Sequence, residues 1–180
     1  MKATKITLSL LFGLVLLFPA CSGGGGENAD VVQKAEENVT ETPEKKELSP
    51  AEIGDHIGEL YLNAMQDIIE ILKDKPDAPS IKSRVEELKE THVQKFVELG
   101  KLREDLNDTD KGMLDSTLRQ KIYAVSKEPW FDTFNEIQMH YFSNREFHKI
   151  VISFNIISQY ADFELLKKQE PEEAKRLGIE

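Results

Sequence analysis

From Ser49 onward the large apolar residues fall at steps of three and four, the spacing that gathers them on one face of an α-helix. The first such stripe is Ile53, Ile57, Leu60, Tyr61, Ala64, Met65, Ile68 and Leu72. It opens at Ser49-Pro50-Ala51-Glu52, where a serine cap and a glutamate three residues on can satisfy two unpartnered amides and proline is tolerated at the first helical position. Lys73 and Lys75 suit the negative end of the helix dipole, and Pro76 and Pro79 prevent continuation. A second helix from about Ser80 carries Ile81, Val85, Leu88, Phe96, Leu99, Leu102 and Leu106, and ends in the turn-like run Asn107-Asp108-Thr109-Asp110. A third, from about Asp110 to Ser126, aligns Leu114, Leu118, Ile122 and Val125. Pro129 then opens a fourth with Trp130, Phe134, Ile137 and Tyr141, either separating it from the third or kinking one longer helix.

The segment from Asn144 to Lys168 is the most apolar of the domain. Ile150, Ile152, Phe154 and Ile156 alternate as a strand would, and β-branched residues favour that, but a lone strand has no partner among helices. The segment therefore reads as one central helix, apolar on most sides. After Pro171 a short turn of helix, Glu172 to Arg176, stops at Leu177-Gly178. The pattern predicts an all-α fold, an antiparallel bundle of four to five helices joined by short loops over residues 49–180.

A different pattern precedes it. Lys2 and Lys5 lead into an apolar run from Ile6 to Phe18, followed by Pro19-Ala20-Cys21. The run is about 13 residues, short of the roughly 20 that span a bilayer, so it reads as a removable export signal covering residues 1–20. Leu17-Phe18-Pro19-Ala20-Cys21 resembles the lipobox of bacterial lipoproteins, although Phe18 and Pro19 depart from the usual leucine and small residue. The resemblance implies that Cys21 becomes diacylated and N-terminal, anchoring the chain to a membrane outside the cytoplasm, at the cell envelope. Cys21 is the only cysteine, so lipidation leaves no thiol for a disulfide, a nucleophile or a metal.

Residues 21–48 comprise that cysteine and a tether of glycine, acidic residues, lysine and proline, too polar to offset its ordering entropy. A flexible chain of that length reaches about 30 Å. Without its first twenty residues, which hold two lysines, the chain's formal net charge goes from −10 to −12. Such a charge disfavours nucleic acid and anionic lipid surfaces. No phosphate-cradling glycine motif, serine nucleophile elbow, paired-histidine metalloprotease motif or haem-attachment motif occurs in the sequence, and no cofactor is implied.

Candidate chemistry is sparse. Asp132, Glu136 and His140 follow one another at steps of four, lining up donors suited to zinc or another divalent ion, with Glu146 or His148 available to complete the set. Yet that ridge lies roughly 160–240° round the helix from its apolar stripe, at 100° per residue, so solvent is its expected neighbour. Glu52, His56 and Glu59 form a similar cluster with the same expectation. His92 interrupts an apolar face between Leu88 and Phe96, where burial would demand a partner. Nine aromatic residues fall between Trp130 and Phe163. Most suit core packing, while Trp130, Phe131 and Phe142 suggest a hydrophobic groove on the fourth helix for an apolar ligand or an envelope protein. The expected role is a non-enzymatic, membrane-anchored binding module; the alternative is a metal-binding or metal-dependent hydrolytic protein.

Overall fold

The structure, a computed structural model, describes residues 47–180. The export signal, Cys21 and nearly all of the tether lie outside the described residues. Helix α1 spans Pro50–Leu72. Its start is the capping box that the sequence announces. The Ser49 amide donates to Glu52 Oε2 at 2.8 Å, and the Glu52 amide donates to Ser49 Oγ at 3.3 Å. Every member of its apolar stripe is buried except Leu60, which is partly so.

α2 spans Ala78–Glu104 and α3 spans Asp108–Val125, each beginning two residues before the expected start. For α2 the reason is Pro79, which sits within the first turn, where its missing amide costs nothing. For α3 it is Asn107, whose side-chain oxygen accepts from the Asp110 amide at 3.0 Å. α4 spans Trp130–Tyr141, with Pro129 as its cap, so this proline separates two helices rather than kinking one. Burial raises the pKa of the Tyr141 hydroxyl, which donates to the Pro76 carbonyl at 2.6 Å and ties the α1–α2 loop to α4.

The chain from Asn144 to Lys168 is not one helix. It divides into α5 (Arg145–Ile152), a 3-10 helix over Ser153–Ala161 and α6 (Phe163–Gln169). Phe154, Ile157, Tyr160 and Phe163 are buried at steps of three. Within Ser153–Ala161 a 3-10 helix stacks every third residue, whereas an α-helix would turn Tyr160 about 120° away from Phe154. Tertiary packing therefore selects the tighter helix. Ile156, which fitted the alternating pattern, is exposed. α7 (Pro171–Arg176) follows and ends at Gly178, whose φ of 71° lies in the left-handed region.

The described residues thus form an all-α bundle of seven α-helices and one 3-10 helix, more and shorter elements than the pattern predicts. α1 is central, packing on α2, α3, α4 and the 3-10 helix, which also packs on α2. α1 and α3 meet through Gly54 and Gly58. A Cβ on Gly54 would stand 2.6 Å from the Leu114 carbonyl oxygen, and one on Gly58 the same distance from Lys121 Cβ. The order of these pairings makes α1 and α3 run in the same direction, as alternate helices of an up-down-up bundle do.

Candidate functional site

Where Gly58 ends the close approach of α1 and α3, the seam opens into a cleft of about 260 Å³. Gly58, Leu62, Ala124, Val125 and the Trp130 indole supply its apolar lining, and Glu59, Gln66, Lys121 and Glu128 supply polar groups. Lys121 Nζ lies 2.6 Å from Asp55 and 4.0 Å from Glu59. The hydrogen bond to Asp55 raises the pKa of this ammonium, so one edge of the cleft holds a lysine–carboxylate ion pair. The sequence pointed to Trp130, and the α1 and α3 walls become visible only once the helices pack.

Of the other two residues of the expected aromatic groove, Phe131 stands edge-on beside Trp130 and Phe142 lies apart from both. Phe131 is half-buried, with its ring 6.1 Å from Trp130 and 6.3 Å from Phe134, and so belongs to the edge of the core. Phe142 caps the opposite end of α4, about 18 Å along the axis from Trp130. It is 65% exposed, as is its neighbour Met139 at 72%, and it meets the His148 ring edge-on at 5.5 Å.

Asp132, Glu136 and His140 all face solvent. Glu136 lies 3.6 Å from Lys75, and the His140 ring packs edge-on against Tyr141. His56 and Glu59 are likewise exposed. Among the described residues no three histidine, aspartate or glutamate side chains converge as metal ligands would.

His92 is buried, at 2% exposure. Its Nε2 lies 2.9 Å from Asp67 Oδ2 on α1, while Nδ1 is buried without a hydrogen-bond partner. Burial pushes its pKa below the ordinary histidine range, and the hydrogen bond to Asp67 opposes this only in part.

Two polar clusters escaped the sequence reading. Arg103, which follows Leu102 on α2, is buried, whereas Leu102 is exposed, so the inward face of α2 is turned from the expected stripe toward Val93, Phe96, Val97 and Gly100. The Arg103 guanidinium reaches Asp115 on α3 at 3.3 Å and Asp162, the cap of α6, at 3.2 Å. Two carboxylates offset the cost of burying this cation, and the trio lines a cavity of about 110 Å³. The second cluster is Arg176 on α7, which donates end-on through both Nη atoms to Glu90 of α2 at 2.9 and 3.1 Å and side-on through Nε and Nη2 to Glu173 at 2.8 and 2.9 Å. Glu173 in turn accepts from the Tyr160 hydroxyl at 3.3 Å. Only a hint of the first cluster was legible, since Arg103 falls seven residues after Phe96 on its face.

No family model matches the chain, and neither curated proteins nor solved structures provide a similar protein from which a role could be transferred.

Proposed function

We propose that the protein is a lipid-anchored, non-enzymatic binding module of the cell envelope, and that its helical domain engages a protein partner at the Trp130 cleft. The reading of the anchor rests on the signal-like run and Cys21. The observation that supports the binding role is the cleft itself, an apolar trough rimmed by charged and amide groups. Its 260 Å³ falls below the roughly 300 Å³ at which small-molecule pockets begin. That size suits one or two apolar side chains of a partner segment better than an enclosed lipid or metabolite. A large aromatic ring at the edge of such a trough is the kind of group that dominates interface energetics.

Site-specific photo-cross-linking in the native host tests this reading. A photoreactive side chain at Gln66, on the cleft rim, is expected to give a discrete adduct that disappears when Ala124→Phe fills the trough. The same probe at Glu86, on the exposed side of α2, serves as the comparison. Equal labelling at the two positions, or an adduct indifferent to Ala124→Phe, refutes the proposed surface.

A further inference from the structure

The seam between α1 and α2 contains a buried histidine whose two ring nitrogens stand in unequal surroundings. Asp67 is a carboxylate and can only accept, so the Nε2 that lies 2.9 Å from it carries the proton when the ring is neutral. Nδ1 is then a buried lone pair with no partner. Protonation would convert it into a buried N–H, again with nothing to receive it, and would place a full charge in a site that is 2% exposed.

The charges that act on the ring are few. Asp67 faces it from α1, and Lys95 acts from α2 itself. The 3-10 helix packed on α2 offers Tyr160 as its one ionisable side chain, and the Tyr160 hydroxyl is engaged by Glu173. The α5 residue paired with α2 is Glu146, which meets Lys82 at 3.6 Å, about 15 Å along the helix from His92. No second carboxylate acts on the ring to offset the proton.

We infer that His92 is an acid-operated latch of the α1–α2 seam: neutral, it holds the two helices through Asp67, and on taking a proton it loosens them. The direction follows from linkage. Burial depresses the folded-state pKa, so the unfolded or locally opened chain binds the proton more readily. The seam is fully closed above about pH 6.5, the ordinary histidine value. It loses stability as pH falls from there, until the folded-state pKa is passed. Opening would widen the shallow groove already present between these helices, bordered by Asp67, Glu70, Ile71, Arg84 and Leu88.

Amide hydrogen exchange on the full chain, followed residue by residue at about pH 7 and about pH 5 and corrected for intrinsic exchange, tests the latch. Exchange at positions 64–72 and 85–97 is expected to rise by about threefold or more at the lower pH. His92→Phe should abolish that rise. A variant with His56, His140 and His148 all replaced by glutamine should keep it, leaving His92 as the only histidine able to respond. Asp67→Asn, which retains an acceptor but removes the charge that partly offsets burial, should depress the folded-state pKa further and so deepen the rise at about pH 5, with its onset still near pH 6.5. Exchange that is insensitive to pH, a rise that persists in His92→Phe, or a response lost in the three-histidine variant each overturns the inference.

Discussion

Replacing Gly54 by alanine should weaken the domain, although alanine is the better helix former. In an unpacked helix the exchange gains about 1 kcal/mol. Here the new methyl would lie 2.6 Å from the Leu114 carbonyl oxygen and 3.2 Å from Thr117 Cβ. Ordinary contact begins near 3.4 Å, so the shortfall is about 0.8 Å. The obstructing atom is backbone in the middle of α3 and cannot rotate aside, so α1 and α3 must separate and loosen Ile53, Ile57 and Leu114. Overpacking of this kind costs about 3 kcal/mol at its upper range, which leaves a net loss of about 2 kcal/mol. For a domain of this size that corresponds to a fall in Tm of about 8 °C. Gly112→Ala provides the internal contrast, because that glycine lies in α3 with nothing within 4 Å of an added Cβ. It should raise Tm by about 4 °C. Thermal unfolding followed by the helical circular dichroism signal measures both. If Gly54→Ala raises Tm as Gly112→Ala does, α1 and α3 do not approach so closely at Gly54.

Arg176→Ala removes two bidentate ion pairs at once and frees α7 from α2, at an expected cost of about 1–2 kcal/mol after allowing for the half-exposure of the pair; urea unfolding reads it directly. Hydrogen bonds to Arg176 lower the pKa values of both Glu90 and Glu173 in the folded chain. Their contribution is therefore present above the ordinary glutamate pKa and is lost as pH falls through the depressed values, so Arg176→Ala should also flatten the stability curve on the acid side of about pH 4.3. Phe154→Ala should cost about 3–5 kcal/mol and Ile156→Ala about 1 kcal/mol or less, because only the former sits on the three-residue ridge. Comparable losses would contradict the 3-10 geometry. Intact mass of the membrane-extracted protein should show a chain starting at Cys21 with added acyl mass, absent in Cys21→Ala; an unprocessed N-terminus would remove the proposed anchor.

The features legible beforehand were those written within a few residues of one another. Ser49 and Glu52 lie three apart and define the start of α1, and Gly178 stops α7. The stripe from Ile53 to Leu72 was readable because a long, strongly amphipathic helix repeats its signal over six turns. Shorter stretches misled where two periods compete. Around Phe154 the residues fit an alternation of two, a helix of 3.6 and a ridge of three, and burial alone selects the last. On α2 the weakly amphipathic sequence left the orientation of the helix open by one position, enough to exchange Leu102 for Arg103 at the interior.

By itself, then, the sequence determined the all-α class, the first helix almost to the residue and the breaks at Pro76 and Pro171, since caps, prolines and periodicity act over one or two turns. Tertiary structure decided what those helices build. His92 and Asp67 are 25 positions apart, Arg103 and Asp115 are 12, and Arg176 and Glu90 are 86. Each pair exists only because packing brings the two together, and the buried Arg103 cation is tolerated because its carboxylates arrive with it. The Trp130 cleft has the same origin. Its walls come from α1, α3 and α4, and its position follows from two glycines that let the first two helices touch and then release them.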